Sequence, residues 1–187
     1  MQLVTSKPIQ FSSEKLSSTK LVVKGFGSVS LFDRDSEKVA SPFEFNISEF
    51  MNSPQLLVNH NYIKTKEGNS VAAGVVKNAI PSYIEKHPTD NKLWVVKSLT
   101  DGNPFVSTWL KSKSPRMEAG DQGLFIVAEV DEPFAIEQIE KGKLGAFSWA
   151  GLSYKQKKFG SSDLIQDIDV VEFSLSLIHI SEPTRPY

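Results

Sequence analysis

The stretch LGAFSWAGLSYK (144–155) decides the fold, because it changes character at every second residue, as a β-strand with two different faces does. In an extended strand, successive side chains point to opposite faces. One face then carries Leu144, Ala146, Ser148, Ala150 and Leu152. The alanines make this face narrow and leave space above Ser148. The stretch therefore predicts a strand that presents a serine on a face of small side chains.

Six further stretches rich in β-branched and aromatic residues predict strands on either side of it. They are LVVKGFGSVSLF (21–32), QLLVNH (55–60), SVAAGVVKNAI (70–80), LWVVKSL (93–99), GLFIVAEV (123–130) and LIQDIDVVEFSL (164–175). The glycines of GFG (25–27) are not followed by the helix that a phosphate-binding loop requires. We expect them to mark a bulge or bend in a curved sheet, and the sequence implies no cofactor.

Helices are fewer and shorter than strands. The clearest covers 133–141, where Pro133 stands in the first turn and Gly142 supplies the stop. Further short helices are predicted over 104–111 and 47–51. Many closely spaced strands with a few helices predict an α+β fold, a mainly antiparallel β-barrel surrounded by short helices.

Composition narrows the classes of function. The 187 residues contain 21 Lys plus Arg and 22 Asp plus Glu, and a net charge of −1 argues against a nucleic-acid binder. The absence of cysteine excludes disulfides, thiolate metal sites and cysteine nucleophiles. Neither a signal peptide nor a membrane-spanning stretch is expected, so the protein is predicted to be soluble and to stay inside the cell.

The two ends of the chain differ from its middle. Residues 1–20 are rich in Ser, Lys and Thr, which predicts a loose N-terminal arm or an edge strand. The string LSLIHISEPTR (175–185) matches the translation of a transposase adapter used to prepare sequencing libraries. We therefore expect the domain to cover 21–174, residues 175–187 to be an artefact, and the native chain to continue differently after Ser174.

Excluding that tail removes His179 and leaves two histidines for chemistry. Alternation along QLLVNH places His60 on the face of Leu56 and Val58, and so towards the core. His87 precedes a proline in a polar turn, where nothing in the sequence would fix its ring. His60 is therefore the better candidate for a catalytic base.

The last predicted strand carries a carboxylate near its end. Alternation there places Glu172 with Ile168 and Val170, and puts Asp167 and Asp169 on the other face. A buried carboxylate needs a hydrogen-bond donor, which an imidazole N–H can supply.

Each of these polar residues has an ordinary structural interpretation alone, but Ser148, His60 and Glu172 together form a complete nucleophile, base and orienting acid. Ser153 is a second serine on the same strand. Alternation puts it on the opposite face, so Ser148 is the better nucleophile.

Four motifs in a fixed order resemble the caudovirus prohead protease family, the phage capsid maturation proteases. The motifs are GFGSVSLFDRD (25–35), LLVNHN (56–61), KGKLGAFSWAG (141–151) and DIDVVEFSL (167–175). The resemblance spans about 21–175. The order of the candidate catalytic residues along the chain, first the histidine, then the serine and then the third residue, is also similar to that of herpesvirus assemblin.

The resemblance implies an assemblin-like β-barrel and a serine endopeptidase that uses Ser148, His60 and Glu172. It implies scaffold segments and the major capsid protein as substrates, with the chain itself as a further substrate, and a homo-oligomer in the host cytoplasm within the assembling prohead. The stretch 81–123 is longer than the family pattern, which makes it family-specific or substrate-binding. The alternative is a non-catalytic β-barrel that serves as a scaffold or capsid-binding module.

Overall fold

The structure, a computed structural model, describes residues 1–5, 8–30, 37–103, 105–113, 116–159 and 162–178. Within these ranges the chain is mainly β and contains one α-helix, α1 (Pro133–Glu140). None of these residues lies in a helix long and apolar enough to cross a membrane. The strands are β1 (Gln2–Thr5), β2 (Ile9–Gln10), β3 (Ser12–Ser17), β4 (Lys20–Val29), β5 (Glu37–Val39), β6 (Phe45–Asn46), β7 (Gln55–Val58), β8 (Ile63–Lys64), β9 (Ser70–Val71), β10 (Gly74–Lys86), β11 (Leu93–Ser98), β12 (Val106–Leu110), β13 (Gln122–Val130), β14 (Leu144–Phe159) and β15 (Ser162–Leu177).

One large mixed sheet organises the molecule. Its main path runs β1-β14-β15-β7-β10-β13-β4-β3, with β11 and β12 added beside β10. The described pairings in this sheet are antiparallel, except that β15 runs parallel to β5, β6 and β7. The two long strands β14 and β15 pair along most of their length. We call this pair the β14–β15 ribbon.

The N-terminal strands approach both ends of the sheet path. Strand β2 pairs with β14, β3 pairs with β4, and a single residue, Phe11, separates them. Phe11 is buried, and its backbone N–H donates to the carbonyl of Gly145 at 2.9 Å. Of the two interpretations of residues 1–20, the edge strand is the one that matches this arrangement.

Two apolar clusters fill the interior. The larger packs the inner faces of β14, β15, β13 and α1 around Phe147, Trp149 and Phe173. The smaller lies under β11 and β12, where Trp94 and Trp109 stand opposite each other. Five of its seven buried members come from the stretch 81–123, and Phe26 and Phe125 complete it.

The predicted β character is confirmed, and so is the helix over 133–141. The helix predicted over 104–111 is wrong, because Val106–Leu110 pairs along β11 and buries Trp109 in the second cluster. The helix predicted over 47–51 is also wrong, since only a short 3₁₀ turn forms there, at Phe50–Asn52. The described strands form an open path, so the closed barrel stays a prediction.

The predicted glycine bulge is confirmed. The pairing of β4 with β13 shifts register next to Gly27, which is the extra residue. A side chain at Gly25 would approach the backbone of Phe11 to 3.0 Å, and glycine avoids this contact. Residues 31–32 of the predicted strand lie outside the described residues.

Candidate active site

A short regular segment of the β14–β15 ribbon carries the candidate site. Register shifts bound it, with Gly145 as the extra residue on β14 and Val171 on β15. Between these bulges, Ser148 stands opposite Ser174, and Ala150 stands opposite Glu172. Directly opposed residues project to the same face of a sheet. The segment therefore gathers small and polar side chains on one face.

The opposite face of this segment belongs to the larger core. Phe147, Trp149 and Phe173 are at most 1% exposed. Trp149 and Phe173 make edge-on contacts with Phe45 and Phe50, and the ring of Phe147 packs at a tilt against Phe11. These large side chains hold the segment against the interior. The narrow face lies on the other side of the segment and is itself covered, since Ala146, Ser148 and Ser174 are at most 2% exposed. Small and polar side chains occupy this face between the bulges, as the alternation predicts, but the space expected above Ser148 is filled, because Ser148 is 1% exposed.

The bulge at Val171 overturns the predicted position of Glu172. Strict alternation puts Glu172 on the face of Ile168 and Val170, but those two residues pack in the core together with Phe173. Because one extra residue reverses the phase of alternation, Glu172 turns away from the core. Its side chain reaches His60 instead.

His60 does not continue β7 as alternation predicts. The strand ends at Val58, and Asn59 and His60 have φ values of 47° and 62°. Val58 and Asn61 exchange backbone hydrogen bonds of 2.9 and 3.0 Å around them. Two consecutive positive φ values inside such a pair are the pattern of a type I′ turn. A left-handed turn, rather than a strand face, therefore aims the imidazole.

Strand β15 fixes this turn from the side. Strand β7 runs parallel to β15, so the turn that follows it lies beside the residues after Glu172. The N–H of Asn59 donates to the carbonyl of Leu175 at 2.8 Å. The N–H of His60 donates to the hydroxyl of Ser174, also at 2.8 Å.

The three predicted residues come together in a hydrogen-bonded series. Ser148 Oγ lies 3.2 Å from His60 Nε2, and His60 Nδ1 contacts the carboxylate of Glu172. Ser148 is 1% exposed, whereas the side chains of His60 and Glu172 are 37% and 18% exposed. When Nδ1 carries its proton towards the carboxylate, Nε2 presents a lone pair to the serine hydroxyl. This geometry can activate a hydroxyl as a nucleophile.

Sequence reasoning missed two serines in the site. Ser174 is fully buried behind His60, and Ser176 Oγ lies 2.6 Å from Ser148 Oγ. The available signal for Ser174 was its spacing, two residues after Glu172 on the same strand. Ser176 falls in the segment that the sequence assigns to the adapter, so no sequence signal indicates a role for it.

The rival residues have other partners. Ser153 Oγ donates to a backbone carbonyl, that of Gln166 at 2.9 Å or Lys155 at 3.0 Å. His87 is held in place, contrary to expectation, because its Nδ1 accepts the backbone N–H of Asp90 at 3.0 Å. Both residues therefore serve local structure.

A separate pocket of about 470 Å³ lies farther along the ribbon, between residues 43–46 and the segment around Asp169. Its acidic groups are already engaged, since Asp169 accepts from Asn46 and Asp167 pairs with Lys155. A hydrogen bond to Asp169 raises the pKa of Tyr154. The pocket contains none of the three candidate catalytic residues.

The fold is similar to that of a phage capsid assembly protease. The solved structure in question is the bacteriophage T4 capsid assembly protease, gp21, with a TM-score of 0.51. The match covers 94% of this chain and 97% of that chain at 9% sequence identity. No family model and no curated protein matches the sequence. The resemblance that the motifs indicate is thus confirmed at the level of the fold.

Proposed function

We propose that the chain is a serine endopeptidase that cleaves scaffold and capsid protein segments during capsid maturation. The observation that carries the proposal is the series from Ser148 through His60 to Glu172. It lies on a fold similar to that of a capsid assembly protease, so both the chemistry and the architecture favour the same class.

In the proposed reaction, Ser148 Oγ attacks the scissile carbonyl while His60 Nε2 takes its proton. The ionised carboxylate of Glu172 holds the imidazole tautomer and stabilises the imidazolium. His60 then gives the proton to the leaving amine, which departs and leaves an acyl group on the serine. Water, deprotonated by His60, hydrolyses this ester and restores the hydroxyl.

The surroundings of Ser148 set a condition on how a peptide reaches it. Ala146 and Ala150 flank Ser148 on β14, so little side-chain volume stands beside the hydroxyl. The hydroxyl itself is covered, with Ser176 among its contacts. Productive binding of a peptide therefore has to displace the groups that cover Ser148.

The finer architecture belongs to the same proposal. We take the sheet to close into a β-barrel through residues 9–17. The support is that β3 is the last strand at one end of the sheet path, while β2, one residue before it, pairs with β14 near the other end. Closure would leave the candidate site on the outer wall.

Residues 175–187 are taken as adapter-derived. We also propose that the protein acts in the host cytoplasm within the assembling prohead, as a homo-oligomer that also processes itself.

The test is a cleavage assay on unassembled major capsid protein and scaffold segments of the phage that encodes this chain. The 187-residue chain and a version with the native continuation after Ser174 are each incubated with them, and fragments are mapped by mass spectrometry. We expect defined fragments that disappear with Ser148→Ala. Binding to capsid protein without any cleavage by either version would instead support the non-catalytic capsid-binding module.

A further inference from the structure

Ser174 occupies a position that joins the two halves of the candidate site. It stands directly opposite Ser148 in the ribbon and two residues after Glu172 on β15. Its side chain is fully buried. The hydroxyl oxygen accepts the backbone N–H of His60 at 2.8 Å, and the hydroxyl donates to the carbonyl of Leu175 at 3.3 Å.

The hydrogen bond from the His60 N–H to Ser174 lies at an unfavourable backbone conformation. His60 has a φ of 62°, a region that costs free energy for a residue with a side chain and persists where surrounding contacts fix it. In a type I′ turn, this second central position is one that glycine commonly fills. A hydrogen bond to the His60 N–H therefore acts on the least favourable residue of the turn.

Strand β15 thus contacts His60 twice, at separate groups. Glu172 contacts the imidazole ring through Nδ1, and Ser174 binds the backbone N–H. The ring alone could pivot about its side-chain bonds, and the backbone alone would not orient the ring. Together the two contacts determine where Nε2 stands relative to Ser148 Oγ.

We propose that Ser174 is a positioning residue for the reaction, and that its hydroxyl sets the place of the His60 imidazole between Ser148 and Glu172. This inference rests on the proposed function. Ser174 touches neither substrate nor the transferred proton in this scheme. It acts through His60, because misplacing a catalytic group by about 1 Å can lower the rate about a hundredfold.

The kinetic test compares Ser174→Ala with Ser153→Ala, a matched control that removes an equally buried hydroxyl from the same ribbon. We expect Ser174→Ala to lower kcat by roughly 10- to 100-fold with KM within about twofold. Ser153→Ala should leave both constants within about twofold. In a His60→Ala background, Ser174→Ala should cause no further loss.

A second readout does not depend on activity. Exchange of the His60 backbone amide, followed by NMR in labelled protein, should be at least about tenfold faster in Ser174→Ala and unchanged in Ser153→Ala. Ser174→Cys keeps the side chain close in size but offers sulfur, a weaker acceptor. Its exchange rate and kcat should fall between those of serine and alanine, and they serve as the test if Ser174→Ala does not fold.

Two results would overturn the inference. One is unchanged protection of the His60 amide in the Ser174 variants. The other is an equal loss of kcat from Ser174→Ala with and without His60, which is the behaviour of a residue that supports the ribbon generally. Full activity of His60→Ala would contradict the proposed function itself. Exchange of the His60 backbone amide in otherwise wild-type protein would still show whether the Ser174 hydroxyl stabilises the turn.

Discussion

Two serines five residues apart on β14 are almost equally buried but have very different hydrogen-bond partners. Ser148 is 1% exposed and Ser153 is 2% exposed. Ser148 meets the imidazole of His60, whereas Ser153 donates to a backbone carbonyl. The comparison teaches that burial and residue type do not mark a nucleophile. What marks it is the group that stands across from the hydroxyl.

The neighbouring strands explain the difference. Beyond the β15 residues that face Ser148 lies β7, whose terminal turn delivers His60. Beyond the β15 residue opposite Ser153, which is Ile168, lies the short strand β6. The ribbon thus has different neighbouring strands beside its two serines, and of these two the neighbour beside Ser148 supplies a base.

The largest expected effect separates these two serines directly. Ser148→Ala should lower peptide turnover by roughly 10⁴- to 10⁶-fold without disturbing the fold, since it removes one hydroxyl. Ser153→Ala should keep the rate within about twofold and lower only stability, by about 1 kcal/mol. Turnover of a scaffold-derived peptide and thermal unfolding measure both. The reverse order of rates would show that the wrong serine is assigned.

The second comparison is between the two histidines. His60→Ala should be about as damaging as Ser148→Ala, because members of a catalytic unit fail together, and the double variant should be scarcely worse. His87→Ala should leave turnover unchanged, since that ring only caps a turn. A larger kinetic loss from His87→Ala than from His60→Ala would contradict the assignment of the base.

The third comparison is between two carboxylates on β15. Glu172→Gln keeps the shape but removes the charge that stabilises the imidazolium, and should lower kcat by roughly 10²- to 10⁴-fold. Asp169→Asn, where the native carboxylate accepts from Asn46, should stay near the wild-type rate. Turnover of a scaffold-derived peptide by both variants is measured from pH 5 to 9. An impaired Asp169→Asn beside an unimpaired Glu172→Gln would refute the role of the carboxylate.

The smallest expected effect concerns Ser176. Its hydroxyl oxygen lies 2.6 Å from that of Ser148, and whenever it accepts the Ser148 proton it competes with His60 for that proton. Ser176→Ala should therefore raise the rate of covalent labelling of Ser148 by a fluorophosphonate, by no more than about fivefold. A hundredfold or greater loss of the labelling rate would mean that the Ser176 hydroxyl helps to activate the nucleophile instead of covering it.

Sequence patterns predicted the strands well and their local phase poorly. The strand around Ser148 was predicted because large aromatics alternate there with alanines. The face of Glu172 on β15 is predicted wrongly, because alternation assumes a regular strand, and nothing in the pair Val170 and Val171 indicates that one of them is the extra residue of a bulge. The bulge is a property of the pairing, which a single strand does not encode.

The position of His60 shows the same limit. Alternation from Leu56 placed it on a strand face, whereas the Asn59 and His60 pair forms a left-handed turn that asparagine favours but that lacks the usual glycine. The chemistry of the residues and the order of the motifs nevertheless indicate this same set, and neither depends on strand phase. The structure brings that set together by a different route.

The central claim, that Ser148 is a nucleophile activated by His60, is tested most directly by mapping a covalent label. Folded wild-type protein and the Ser148→Ala, Ser153→Ala and His60→Ala variants are treated with a fluorophosphonate, and the modified peptide is identified by mass spectrometry. The account predicts one label on Ser148, at the wild-type rate in Ser153→Ala, strongly slowed in His60→Ala and absent in Ser148→Ala. A label on Ser153, or labelling of Ser148 that is indifferent to the loss of His60, would contradict it.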